Sequence, residues 1–455
     1  MRHKAWKYSF SFVAALLTSL LWSAPLQAQQ TYTLQQVREA ALEHNFATRD
    51  ARLGIEQATQ QRKEAFTNFF PSVSGTGFWF NANRGMASTD ITPSELMPAS
   101  LIQSLAESPM AESLQALAMP VNITMMKKGL VAGVTAMQPV FAGGQIINGN
   151  KLAKVGEQVS QLQLRLSEQE VEKKATGYFW QIITLEEKLN TVNAALDMLA
   201  GLCRDVETAV NAGVAMRNDL LQVQLRQNEV ESQKVTLQNG IEVLHMVLAQ
   251  YCGFPSSRFN LSAPTDDISP LSVQQDPDQA LAGTAEYQLL DKQVEASKLQ
   301  QRMEVGKNLP TIAVGAGYNY HNLLDNDRTF AMLFATVSIP ISDWWGGSHA
   351  IKQKRIATRR AQEQLDDNAQ LLKIRMTTAW NAVQEAYLKL TIAERSVSQA
   401  EENLRIQRER YQAGTLSMTD LLQAQLLQQQ AADSHTDAVA TYQNCLLDYR
   451  QAVGQ

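Results

Sequence analysis

Two stretches of equal length, 140–254 and 341–455, contain no proline, and all 13 prolines of the chain lie outside them. Proline removes a backbone donor and clashes with the preceding turn, so it breaks helix interiors. Two equal blocks without it predict long helices and invite a search for a repeat. The repeat is readable. NAGVAMRNDLLQVQL begins at Asn211 and QAGTLSMTDLLQAQL at Gln412. Ala212, Gly213, Asp219, Leu220, Leu221, Gln222, Gln224 and Leu225 thereby recur as Ala413, Gly414, Asp420, Leu421, Leu422, Gln423, Gln425 and Leu426. Upstream, Gln138-Pro139-Val140 precedes Gly143-Gly144 much as Ile339-Pro340-Ile341 precedes Gly346-Gly347, and PSVSGTGFWF at Pro71 is similar to PTIAVGAGYNY at Pro310. The pattern predicts a tandem duplication, 29–254 and 284–455, joined by a linker over 255–283. Each copy is an extended segment, a loop, an extended segment, a long helix, a turn and a helix.

Helices are expected at about 33–69, 145–210, 217–250, 284–308, 348–411 and 418–453. Apolar residues within them recur at alternating steps of three and four, as in Leu220, Val223, Gln227, Val230, Lys234, Leu237, Ile241, Leu244 and Leu248. Rows of this kind pack as coiled coils. A helix over 145–210 would be about 100 Å long at about 1.5 Å per residue. Antiparallel hairpins are expected to fold at Gly213 and Gly414, since glycine tolerates the left-handed conformation that ends a helix.

No apolar run after the N-terminus is long enough for a spanning helix, so a membrane role must rest on strands. Four segments of about ten residues fit that role: about 71–80, 130–140, 310–320 and 330–340. Ile312, Val314, Ala316, Tyr318 and Tyr320 alternate with smaller or polar residues. Phe69, Phe70, Phe141, Trp344 and Trp345 gather where strands meet helices, and other aromatics gather at the far ends. Two aromatic girdles are what a membrane barrel places at its interfaces. Four strands leave edges that lipid cannot satisfy, so the chain must share its barrel, and three copies supply twelve strands. The expected class is mainly α with membrane β, a trimeric twelve-stranded barrel continued by a long α-helical barrel. The competing reading is a soluble periplasmic coiled-coil scaffold or adaptor, which leaves the strand pairs and aromatic ends without a purpose.

The N-terminus reads as a signal peptide over 1–28: Arg2, Lys4 and Lys7 precede a short apolar core that ends near Ala28. Removing those three basic residues takes the net charge from −5 to −8, which argues against a nucleic-acid partner. Cys203, Cys252 and Cys445 show no CxxC spacing and read as small buried hydrophobes. The connection over 81–129 holds Met86, Met97, Met110, Met119, Met125 and Met126. Soft copper ligation there competes with plain packing or loop contact, and the lack of His and Cys favours packing. No phosphate loop, GxSxG or HExxH occurs, so no enzyme, cofactor or metal site is expected.

The duplicated AGxxxxxDLLQxQ turn, with the strand pairs before it, resembles the TolC family of outer-membrane efflux proteins over nearly the whole chain. The resemblance implies an outer-membrane location in a Gram-negative bacterium and a homotrimer with a periplasmic tunnel. Passive export is implied through a tripartite efflux or type I secretion system. The implied partners are outer-membrane lipid, a periplasmic adaptor and an inner-membrane transporter of RND, ABC or MFS type. Equatorial parts fall on 31–45 and 255–285. The two turns become the constriction, with Asp420 as its acid and Tyr411 as a gate-latch residue; three copies each of Asp219 and Asp420 near one axis would make an acidic ring that favours cations. The turns, with Gly213, Gly414, Leu220 and Leu421, are implied to contact the adaptor. Gln423 replaces a second constriction carboxylate, and Leu416 a latch arginine. Each Asp also suits the start of a helix, where its charge meets the dipole.

Overall fold

The computed structural model describes residues 30–85, 87–106, 119–125, 127–263, 270, 273–323 and 327–455. The expected signal peptide, part of the expected linker, and Met86, Met110 and Met126 lie outside the described residues. The chain divides into two bodies, one from 30–57, 158–292 and 362–455, the other from 58–157 and 293–361.

In the first body, β1 (Thr31–Thr33) pairs in parallel with β6 (Asn260–Ser262). Helix α1 (Leu34–His44) starts in a capping box: Gln36 N–H donates to Thr33 Oγ1 at 3.4 Å, and Thr33 N–H donates to Gln36 Oε1 at 2.9 Å. Such a box satisfies two donors that the first helical turn leaves without partners. Val37 and Ala41 of α1 then bury against Phe179, Trp180 and Ile182 of α4 (Gln145–Asn211) and Leu248 and Cys252 of α5 (Arg217–Cys252). Each large side chain buried here contributes about 1.5–3 kcal/mol. Tyr32 stacks on Phe254, ring centres 4.0 Å apart.

Beyond that core the predicted rows meet each other. Val192, Leu199 and Val206 of α4 pack with Val223 and Val230 of α5. In the second hairpin, Met376, Val383 and Ala386 of α7 (Asp343–Gln412) pack with Tyr442, Tyr449 and Ala452 of α8 (Met418–Ala452). Gln275 N–H donates to Tyr449 Oη at 2.8 Å, tying the 255–283 segment to this core.

One expected element is corrected. The helix foreseen over 33–69 is two helices, α1 and α2 (Phe46–Thr67). Asn45 breaks them apart with ψ 139°, and its Oδ1 accepts from Ala47 N–H at 2.9 Å. A short polar side chain that hydrogen-bonds its own backbone competes with the helix ladder.

The second body holds an antiparallel sheet in the order β2 (Ser72–Asn81), β5 (Lys128–Ala142), β7 (Thr311–His321), β8 (Arg328–Ser338). The last strand begins and ends two residues earlier than expected, which leaves Pro340 outside the ladder it cannot join. Within β5 the register shifts between Pro139 and Phe141, so the donor that proline lacks falls at a bulge. The connection over 81–129 contains an unforeseen pair, β3 (Ala87–Ile91) with β4 (Val121–Met125), and a short helix α3 (Ala99–Ala106). Helix α6 (Ala285–Lys307) leads into β7. Gly143, at φ +58°, closes against the Gly306 carbonyl, where any Cβ would collide.

Side chains alternate between the faces of a strand, so the register assigns the faces. Val73 and Trp79, Leu130 and Val134, Val314 and Tyr318, and Leu333 and Val337 share one face across all four strands. All eight are exposed, Leu333 at 88%. The opposite face is mixed: it carries Ser72, Ser74, Thr76, Thr135 and Asn319 beside Phe78, Met137, Phe330 and Met332, with the Phe334 ring lying over Gly315 where a side chain would collide. Among the described residues the sheet does not close on itself: β2 and β8 are its two edges.

Candidate functional site: the helical turns and the open sheet

Both hairpin turns are built alike. After α4, Gly213 takes φ +74° and Val214 N–H donates to Ala209 O at 2.9 Å. After α7, Gly414 takes φ +72° and Thr415 N–H donates to Arg410 O at 3.0 Å. These bonds satisfy the last helical carbonyls through a left-handed residue. No heavy atom crowds either glycine, so backbone conformation alone selects it.

The helices that leave the turns begin with the two acids. Asp219 Oδ2 accepts from Met216 N–H at 3.3 Å. Ser417 Oγ accepts from Asp420 N–H at 3.2 Å and donates to Asp420 Oδ2 at 2.7 Å. Both carboxylates therefore start a helix, whatever else they do. Asp420 and Gln423 are exposed, whereas Asp219 is half-buried.

Between the two turns lies a pocket of about 500 Å³. Asp219, Asp205 and Val214 of the first hairpin line it together with Tyr411, Arg408 and Leu416 of the second. Burial pushes the Tyr411 phenol above its ordinary value, and the carboxylates of Asp219 and Asp205 push it the same way. A phenol so placed stays protonated and remains a hydrogen-bond donor beside two acids. The structure thus brings Asp219 and Tyr411 together and leaves Asp420 and Gln423 outside the pocket. Asp205 and Arg408 were not foreseen, because they lie upstream of the turn motif on helix faces without apolar periodicity.

The remaining sequence candidates divide by burial. Leu421 is only 1% exposed and Leu220 is half-buried, so neither leucine offers itself outward as expected. Val214, Met216 and Leu221 form the exposed apolar surface of the first turn instead. Cys203, Cys252 and Cys445 are free thiols; only Cys252 is fully buried, against the expectation for all three. Met97 is half-buried and Met119 exposed.

At the sheet-to-helix junctions of the second body, Phe69, Phe70, Phe141, Trp344 and Trp345 are all exposed, Trp345 at 82%. Trp344 Nε1 donates to Asn308 O at 3.0 Å, and Gln138 Nε2 donates to Phe69 O at 3.1 Å. An aromatic with an anchored polar end and an exposed ring suits a membrane–water boundary.

Residues 277–455 match the family model described as outer membrane efflux protein. No curated protein matches the chain. The fold is shared with solved outer-membrane channels. VceC of Vibrio cholerae is 15% identical with a TM-score of 0.72, over 92% of this chain and 96% of that one. CmeC of Campylobacter jejuni is 14% identical with a TM-score of 0.73, over 92% of this chain and 85% of that one. MtrE of Neisseria gonorrhoeae, solved in its open state, is 14% identical with a TM-score of 0.69, over 92% and 88%. At such identities the likeness shows fold. The family model covers the later part of the chain and the solved channels share its fold, and both agree with the resemblance read from the duplicated turn.

Proposed function

We propose that the chain is one third of an outer-membrane exit duct, a tandem duplication that conducts substrates passively and carries out no chemistry. One observation carries the reading: a four-stranded sheet with one continuous exposed apolar face and two unpaired edges. Water disfavours such a face, and lipid disfavours such edges unless they pair. Three copies joined β8 to β2 would satisfy both, giving twelve strands with Val73, Trp79, Leu130, Val134, Tyr318, Leu333 and Val337 toward lipid. Phe69, Phe70, Phe141, Trp344 and Trp345 would then mark the inner boundary of the outer membrane, with the hairpins in the periplasm.

In this reading the two turns form the narrow end. Tyr411 and Asp219 face each other across the hairpins as a latch, consistent with the shared pocket and the acids that act on the phenol. Three copies each of Asp219 and Asp420 make an acidic ring that favours cations, with Gln423 adding no charge. The turns held by Gly213 and Gly414, underpinned by Leu220 and Leu421, dock a periplasmic adaptor through Val214, Met216 and Leu221. An inner-membrane transporter of a tripartite efflux or type I secretion system supplies the energy and chooses the substrate. The test is direct. Protein purified from outer membranes should insert into planar bilayers and give discrete, cation-preferring conductance steps. Recovery as a soluble periplasmic protein that never conducts would return the scaffold reading.

A further inference from the structure

Helices α5 and α8 bury apolar residues around their polar contacts, Val223 and Val230 on α5 and Leu421 and Ala424 on α8. One arginine stands among them. Arg226 Nε donates to Gln425 Oε1 at 3.1 Å, its Nη2 to Gln429 Oε1 at 3.1 Å, and its Nη1 to Glu229 Oε2 at 3.1 Å. Gln425 and Gln429 are buried, Gln425 at 1% exposure, and Gln425 Nε2 also donates to Gln429 Oε1 at 3.4 Å. The chain of bonds returns to α5 where Gln429 Nε2 donates to Gln233 Oε1 at 2.9 Å. Nearer the turns, Thr419 Oγ1 donates to Gln222 Oε1 at 3.2 Å.

We propose that Arg226 is the positioning residue that clasps the two hairpins of one protomer together and so holds the resting gate shut. This inference rests on the duct reading. Its chemistry is specific: the guanidinium presents a rigid fork of donors, and two of its arms reach buried amides on the other hairpin. Those amides lose their partner when α5 and α8 separate, which is costly in a buried seam. The clasp is also one-sided. In the repeat, Leu427 stands where Arg226 does, and Asn228 stands where Gln429 does. A general packing device would recur at the second site; this one serves only the seam inside a protomer.

The full-length trimer in planar bilayers tests this. Arg226→Leu should raise the resting conductance several-fold and lower the thermal transition modestly, because Gln425 Oε1 loses its donor, while trimer yield stays near wild type. A folded Arg226→Leu trimer with wild-type resting conductance overturns the clasp. Should that variant fail to assemble, a second protein decides. Gln233→Cys with Gln429→Cys, in a chain whose Cys203, Cys252 and Cys445 are replaced by Ala, is bridged by a short reducible bis-methanethiosulfonate. Bridging should abolish spontaneous large openings, and reductant should restore them. Openings unaffected by the bridge overturn the proposal. A wild-type trimer that never conducts removes the duct reading itself, and the clasp with it.

Discussion

Glycines 213 and 414 occupy conformations that other residues adopt at a cost of about 1–2 kcal/mol. Gly414→Ala should therefore lower the thermal transition of the purified protein although nothing crowds the added methyl; an unchanged transition would mean that the turn rearranges freely. Asp420→Ala should weaken cation preference, read as a shifted reversal potential, and should remove the bonds to Ser417 that cap α8. An unchanged reversal potential would reduce Asp420 to that capping role. Burial pushes the Cys252 thiol up to about 12. Its folded value lies above its unfolded one, so its contribution to stability is complete below about 9 and is lost as pH rises toward about 12. Denaturation midpoints across that window should fall, and Cys252→Ala should flatten the slope. The repeat made the acids and the glycines legible, since each recurs, whereas Tyr411 came only from the family resemblance. Arg226 stayed hidden because its polar partners lie in what reads as a solvated glutamine-rich face.

At the scale of elements, steps of three and four residues were enough to locate the long helices to within a few residues, because those rows meet in the hairpin cores. The break at Asn45 escaped notice. It uses neither proline nor glycine, only a side-chain bond to Ala47. The pairs β1–β6 and β3–β4 escaped for another reason: strands of three to five residues hold too few positions for alternation to show. The sheet faces needed the register, since only β7 alternates plainly in sequence. Leu333, the most exposed of the apolar face, is the position where lipid contact is tested most simply. Leu333→Lys should cost about 2–4 kcal/mol if that face meets the bilayer midplane. The expected result is a sharp loss of outer-membrane protein, whereas a soluble sheet would gain solubility from the same change.

For the whole molecule, an open sheet with unpaired edges forces a choice between assembly and exposure. On the proposed reading, a duplicated chain that contributes four strands would give each trimer two similar hairpins per copy, and the one-sided clasp at Arg226 would make the seams inside and between protomers unlike. Everything assigned to the turns depends on several copies bringing their acids and latches to one axis. The most direct measurement is the mass of the intact complex released gently from detergent micelles after extraction from outer membranes. Three chains per particle are expected, with no monomer stable in water. A single chain that remains folded and soluble without detergent would contradict the shared barrel and with it the duct.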